Sequence, residues 1–275
     1  MAEGKVAVTA THPIPPVSRS STLFWSSLST VTGAYALFIV AMIAAMAGYA
    51  TPADLLNALQ HPEIRHSIEL SLLTCTLTAA LSVVVAIPAG YLLSRKEFAG
   101  KSLLEAILDI PIVLPPMVMG LALLILFQTQ FGHFVEQFTR VTYTVKGVVL
   151  AQFVIGCAFA VRTMRATFEN LSPRPEDVAM TLGCTRWQAV MKVTLPAARS
   201  GIFAAGSVAW ARSLGEFGPI LVFAGATRGK TEVLPTTVWL ELSVGNLEAA
   251  VAVSILMVLL AIVVLVIIRR AGERV

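Results

Sequence analysis

The sequence predicts an all-α integral membrane protein with six transmembrane helices. Three observations lead there. Apolar residues make up 56% of the chain and charged residues only 13%, against about 25% charged in a soluble domain. The apolar residues fall in long blocks without charge, and about 18 or more such residues read as a bilayer span. The basic residues, finally, gather in alternate loops.

Residues 1–21 are polar and Pro-rich and read as a cytoplasmic tail. The first apolar run, 22–49, is too long for the core of a removable signal peptide. It stands apart as a first span. The loop 50–66 carries a short amphipathic piece, PADLLNALQ. Residues 70–94 form the second span without a charge. A short basic loop, SRKEFAGKS, makes the second and third spans neighbours. The third span, 110–127, is interrupted by Pro111, Pro115 and Pro116. Loop 128–146 can hold a short interfacial helix. The fourth span starts at Gly147 and runs on past Arg162 into the interface. Residues 162–199 are the longest polar run inside the bundle. The fifth span, 201–226, contains Arg212 and Glu216. After the loop 227–247 comes the sixth, 249–268, again uncharged, and then a short tail, 269–275. The compact domain is therefore 65–268, carrying its polar segment at 172–197.

Placement of charge sets the topology. Lys5, Arg19, Arg95, Lys96, Lys101, the stretch Arg162 to Arg199, Arg269, Arg270 and Arg274 fall on one side. Only Arg65, Arg140, Lys146, Arg228 and Lys230 fall on the other. The positive-inside rule puts both termini in the cytoplasm, as an even number of spans requires. A net charge of +4 distributed this way gives no footprint for nucleic acid. Cys75, Cys157 and Cys184 are isolated, without disulfide or metal spacing. The sequon at Asn170 lies on the cytoplasmic side and is set aside. No internal repeat is visible, which weighs against an inverted-repeat secondary transporter. No motif of a membrane enzyme is present. His66 and His133 sit near helix ends; Trp25, Trp210 and Trp239 suit membrane interfaces, and Trp210 suits a core position equally. Trp187 lies in the polar segment.

That segment carries the first motif. Ser172 or Pro173 can open a helix, and Pro175 suits its first turn. Glu176 and Asp177 place negative charge at the positive end of the helix dipole. Val178, Ala179 and Leu182 form an apolar stripe, Gly183 ends the helix, and TRWQAVMKV leads to Leu195-Pro196. An ordinary surface helix between two spans fits the same spacing. The pattern also resembles the cytoplasmic motif of ABC importer permeases: Glu-Ala-Ala, three residues, Gly, then Leu-Pro about a dozen positions on. Here Asp177, Val178 and Ala179 take the first three places, followed by Gly183 and Leu195-Pro196. Asp177 stands at the Glu position with Glu176 before it, and Val178 replaces the first Ala. The resemblance implies a coupling helix seated in a groove of a cytoplasmic ATPase, an arrangement that suits a short helix with an apolar stripe.

The second motif lies in the fifth span. Arg212 and Glu216 are four apart and share a helix face. Intramembrane charges line a pathway or pair within the bundle, and a neutralising strut fits them as well. Gly215, Gly218 and Pro219 loosen the helix and permit close approach. The core Leu-Gly-Glu-Phe-Gly, 214–218, with Ala-Gly, a turn, Gly, Lys, Thr and Leu-Pro after it, resembles molybdate, tungstate and sulfate permeases. The segment around Pro115 and Pro116 resembles the Leu-Pro-Pro stretch of molybdate permeases. In the external turn, Ala226-Thr227-Arg228 replaces a more usual Asn-Ile-Pro. The run from Gly225 to Thr231 imitates a P-loop, but its glycines enclose three residues where four are needed.

The resemblance, over about residues 65–268, implies a type I ABC importer transmembrane domain in a bacterial or archaeal cytoplasmic membrane. It implies a second permease copy, two ATPase subunits holding ATP and Mg, and an external substrate-binding protein. It implies alternating access for an oxyanion, molybdate first, with tungstate or sulfate next. On this basis Glu176, Asp177, Val178, Ala179, Gly183, Leu195 and Pro196 are candidate coupling residues. Pro115, Pro116, Arg212, Ser213, Gly215, Glu216, Phe217 and Gly218 are candidates for the path or its gate. The chain itself is expected to hold no cofactor or metal and to catalyse nothing. The alternatives are a permease for phosphate, iron or thiamine, and an ion-coupled secondary transporter.

Overall fold

The computed structural model describes residues 19–273, which divide after Gly48 into two compact units. The first unit holds all but the last residue of α1 (Arg19–Tyr49). The helix takes in Arg19–Ser21, which the sequence assigned to the tail; the rest of that tail lies outside the described residues. Within its own unit the helix buries nothing, and Leu23, Trp25, Val31 and Phe38 all stand exposed. A helix apolar all round needs either protein or lipid about it.

The second unit opens with α2 (Pro52–Gln60), the amphipathic piece expected after the first span. Thr51 starts it: its hydroxyl accepts from Asp54 N–H, and the Asp54 carboxylate accepts from Thr51 N–H at 2.8 Å, a reciprocal cap. Then come α3 (Pro62–Arg95), α4 (Lys101–Val113), α5 (Pro116–Phe127), α6 (Gln130–Phe138) and α7 (Val145–Asn170). The polar segment contains α8 (Arg174–Thr181), α9 (Arg186–Ala189), a π-helical turn at Val190–Thr194 and α10 (Leu195–Ala197). The rest comprises α11 (Arg199–Leu214), α12 (Gly218–Phe223), α13 (Leu234–Ser243) and α14 (Leu247–Glu273). No strand occurs among the described residues.

The centre of this unit is α3, α7 and α11 packed on one another. Helix α3 is apolar on every side, so what selects its buried face is size. Ser67, Ser71, Thr74, Thr78, Ser82, Ala86 and Gly90 line it at helical spacing and are buried. Small residues let backbones approach where no hydrophobic effect drives helices together. Gly90 shows how close: a Cβ there would lie 2.8 Å from Arg165 N and from Met164 Cβ. Helix α14 covers α11, α13 and α2, while α12 packs on α5 and α7.

Four helices among the described residues are long and apolar enough to cross a membrane: α1, α3, α7 and α14. The bent pair α4 and α5 makes a fifth if taken as one span. Two expected spans are therefore not single helices. The third divides at Leu114-Pro115, where the chain turns by 112°. Pro115 forces Leu114 into extended backbone, and neither Pro115 nor Pro116 has an N–H to continue the ladder. The fifth divides at Gly215–Phe217, between α11 and α12.

Apart from the Arg212–Glu216 pair, the ion pairs outside the polar segment collect at the two ends of this unit. At one, Arg165 meets Glu105 at 3.0 Å and Glu169 at 2.8 Å, and Arg95 Nη2 donates to Leu171 O. At the other, Arg228 binds Glu63 and Glu241, each at 2.7 Å. An apolar middle between two charged ends is the profile of a multi-pass membrane protein.

Candidate functional site

The two helix breaks meet. A Cβ on Gly120 of α5 would lie 2.7 Å from Pro219 Cα, and one on Gly218 would lie 2.8 Å from Met117 Cγ. The start of α5, just after Pro115 and Pro116, is thus laid against the start of α12. The sequence marked both prolines and Gly218 separately, and the fold brings them together. Gly215 is exposed at the break, and Phe217 tilts against Trp239 with ring centroids 6.0 Å apart.

Breaking a helix inside a membrane frees carbonyls that need donors. Gln152, buried on α7, supplies one: its Nε2 donates to Ser213 O at 3.2 Å, and its Oε1 accepts from the Thr78 hydroxyl at 3.3 Å. Sequence reading missed Gln152, although an amide in an otherwise apolar span is the signal that finds such a residue. Ser213 itself is fully buried and donates its hydroxyl back to Ala209 O.

Arg212 and Glu216 pair as their spacing predicts, with Nη2 and Oε1 2.6 Å apart. The two sites differ in burial: the Glu216 side chain is 1% exposed, while that of Arg212 is 33% exposed. Among the described residues neither Glu216 oxygen has an aligned hydrogen-bond donor. The guanidinium also lies 5.6 Å from the centroid of the Phe159 ring, within cation–π range. The pair is therefore half open: a buried carboxylate balanced by a cation that still reaches the surface of the chain.

The polar segment is built around another buried acid. Glu176 is 5% exposed. Its carboxylate accepts from the Tyr91 hydroxyl and from Thr194 Oγ1 at 2.9 Å, and Arg186 Nη1 lies 3.9 Å away. Glu176 lies in the first turn of α8, as expected for an acid at the positive end of the dipole, and its side chain also fastens α8 to α3 and to the π turn. Asp177 beside it is exposed. Gly183 takes φ +93°, a left-handed conformation that side chains disfavour, and turns the chain from α8 to α9. Thr185 caps α9, its hydroxyl accepting from Gln188 N–H. The π turn follows, with Leu195 N–H reaching back to Val190 O, just before Pro196, which has no N–H of its own. Ala179 is half-buried, whereas Val178, Leu182, Trp187 and Met191 are exposed, Leu182 at 81%. Leu195 is half-buried and Pro196 exposed. After Ala198, α11 carries the chain unbroken to Leu214, one residue short of the break.

The P-loop imitation at 225–231 closes on itself. Lys230, Thr231 and Glu232 all donate their N–H groups to Thr227 O, and Thr231 Oγ1 donates to Gly225 O. These amides turn onto a carbonyl of the loop itself, where a P-loop would aim them at a phosphate. Glu232 behind the turn is buried, which pushes its carboxyl up, while the hydrogen bond to Glu63 raises the Arg228 guanidinium. Among the described residues no three His, Cys, Asp or Glu side chains gather as a metal site would need.

The sequence matches the family described as "Binding-protein-dependent transport system inner membrane component" over residues 82–275. It is 33% identical over 201 residues to the "Sulfate transport system permease protein CysT" of Escherichia coli (strain K12), covering 72% of this chain and 73% of that one. It is 35% identical over 170 residues to the "Molybdate/tungstate transport system permease protein WtpB" of Thermococcus kodakarensis, covering 62% and 65%. The fold matches a chain from the "Crystal structure of bacterial alginate ABC transporter in complex with alginate pentasaccharide-bound periplasmic protein" with a TM-score of 0.73 at 15% identity, covering 93% of this chain and 96% of that one. The chain belongs to the family of binding-protein-dependent transport system inner membrane components, the permease subunits of ABC transporters.

Proposed function

We propose that the chain forms the translocation path of an ATP-driven importer for a tetrahedral oxyanion, molybdate first and tungstate or sulfate next. The observation that carries the reading is α11. It runs without interruption from the polar segment to the break beside Gly215, a rod of about 24 Å at 1.5 Å per residue. A rigid helix transmits a displacement at one end to the other. In this reading α8 is a coupling helix, and Asp177, Val178 and Leu182 meet an ATPase subunit that holds ATP and Mg. Glu176 fixes the segment to α3, so that motion reaches the bundle. The paired breaks at Pro115-Pro116 and Gly215–Gly218 are the gate, opened alternately to each side as the segment moves. Arg212 offers a passing dianion a cation whose charge Glu216 moderates, favouring release over retention.

The assembly has two copies of this chain, two ATPase subunits on the cytoplasmic face and an external binding protein. Each copy crosses the membrane six times, with residues 201–226 counted as a crossing and both termini cytoplasmic. The oxyanion rests on the segments around Pro115 and around Glu216, and on the kinship with sulfate and molybdate/tungstate permeases.

ATP-dependent uptake of labelled molybdate into vesicles holding the chain, its ATPase and its binding protein tests the proposal. Uptake blocked by tungstate and not by sulfate is expected. Block by sulfate would move the substrate to sulfate. An assembled, ATP-hydrolysing complex that takes up none of the three would discard the oxyanion and keep the permease.

A further inference from the structure

Beside the polar segment lies a cavity of about 780 Å³ that the proposed mechanism does not use. Its walls are apolar: Val84, Ile87 and Leu92 of α3 on one side, with Trp187, Val190 and Met191 on the other. Val84 and Trp187 are 68% and 72% exposed, so the groove is open at the surface of the unit. Its lining also includes three cations, Arg95, Lys96 and Arg186. Arg95 and Lys96 end α3, where the apolar run of the helix gives way to the loop. Arg95 donates Nη2 to Leu171 O, yet its Nε is buried without a partner. Glu176 behind the Tyr91 wall offsets part of the Arg186 charge at 3.9 Å. Lys96 is exposed and, among the described residues, has no acidic neighbour within salt-bridge range.

An aliphatic groove ending in cations with a Trp beside it matches one amphiphile above others. Hydrocarbon fills the groove, the indole sits at headgroup level, and a phosphate meets the cations, as in basic pockets between membrane helices. A free oxyanion would find the cations but gain nothing from the apolar walls. We infer that this groove binds an anionic phospholipid, with its acyl chain between α3 and the π turn and its phosphate against Arg95, Lys96 and Arg186. The site rests on the membrane placement proposed above. It joins α3 to the segment that α11 carries, so an occupied groove stiffens the joint through which the segment moves.

Trp187 reports occupancy. The test uses the full chain, assembled with its ATPase, in phosphatidylcholine bilayers containing either phosphatidylglycerol or phosphatidylcholine brominated on the acyl chain, at equal bromine content. The Trp187 signal is taken as the difference from Trp187→Phe. Quenching is expected at roughly tenfold lower brominated phosphatidylglycerol than brominated phosphatidylcholine. The preference should shrink in Lys96→Gln, an exposed residue, and vanish in Lys96→Gln/Arg186→Gln. Because Arg186 lies 3.9 Å from buried Glu176, the double variant counts only with an unchanged melting temperature, and Lys96→Glu, which should abolish the preference alone, is the second variant. Arg95 is left in place because it holds Leu171 O. Equal quenching by both lipids would reduce the groove to ordinary lipid contact and overturn the proposal. No quenching by either would mean that protein covers the groove, which overturns it equally. Relief of quenching by millimolar molybdate or sulfate, but not by chloride at equal ionic strength, would assign the cations to free oxyanions instead. Each outcome is independent of uptake, so a permease that transports normally without lipid preference refutes this site alone.

Discussion

Two seams in the bundle use glycine for close approach, and they differ in what surrounds it. Along α3 and α7, Gly90 sits within an unbroken helix, in a row of small buried residues that faces another unbroken helix. Between α5 and α12, Gly218 opens α12 next to Pro219, and Gly120 lies one turn after Pro116 at the start of α5. The first seam joins helices of 34 and 26 residues that run on through it, α3 passing Pro88 without a break, and has no freedom to slide without losing many contacts at once. The second joins two short helices, of 12 and 6 residues, each attached through a kink. Under the proposed function the difference separates a frame from a moving part: the same residue type would make a rigid seam in one context and a hinge contact in the other.

The comparison breaks most sharply at its glycines. Gly90→Val drives a branched side chain into the backbone of Arg165, and overpacking of this kind costs about 1–3 kcal/mol or more. The expected result is a lower melting temperature and poor yield of the purified chain. Gly120→Val meets Pro219 just as closely, but α12 can shift at its kink. A smaller loss of melting temperature with near-complete loss of uptake is expected there. If both variants lose stability equally, the second seam is frame as well.

Gln152→Leu comes next. It removes one of two donors to Ser213 O, which keeps the Glu216 N–H, at about 0.5–1.5 kcal/mol for one hydrogen bond. Because Gln152 joins the frame to the break, melting temperature and uptake should fall together. Gln152→Glu, which keeps an acceptor for Thr78 and loses the donor, should share the defect.

Gly183→Val reads the other end of α11. Its positive φ makes the substitution cost roughly 1–2 kcal/mol, and the residue stands clear of neighbours. Membrane insertion should survive, while ATP hydrolysis loses its dependence on transport. Hydrolysis still coupled to uptake would remove the coupling role from α8.

Much of this was legible from residue type and spacing. The polar segment could be read because Gly183 and the Leu-Pro pair punctuate a charged stretch between apolar ones. The Arg212–Glu216 pair could be read because four residues is one helical turn. The bends could be suspected from Pro115, Pro116 and Gly215, but not their meeting, since contacts between α5 and α12 depend on how α7 holds both. Glu176 shows the same limit. Its helix position suggested the dipole, but not its side-chain partners, Tyr91 and Thr194, which lie on elements that only tertiary packing brings near. The small-residue row on α3 was hidden because the helix is apolar on all sides, and periodicity in size is weaker than periodicity in polarity.

The smallest effect sharpens the comparison from outside the membrane. Glu136 on α6 accepts from Thr142 N–H at 2.7 Å, Thr142 Oγ1 at 2.7 Å and Val141 N–H at 3.1 Å. The next residue, Tyr143, donates its N–H to Phe223 O at the end of α12. This carboxylate therefore steadies the loop that steadies α12, and has no such link to the seam of α3 and α7. The Thr142 backbone N–H, opposed by slight burial and helped by the other donors, holds its carboxyl below the usual value. A depressed pKa contributes stability above the unfolded pKa, about 4.3 for Glu, and the contribution is lost as pH falls through the folded value. Amide exchange, corrected for its intrinsic pH dependence, should thus loosen first in α12 on acidification below about pH 4, with α3 unchanged. Glu136→Gln should give that loosened α12 already at neutral pH. Equal loosening of α3 and α12 would mean that the two seams open as one unit, and the distinction between frame and moving part would fall.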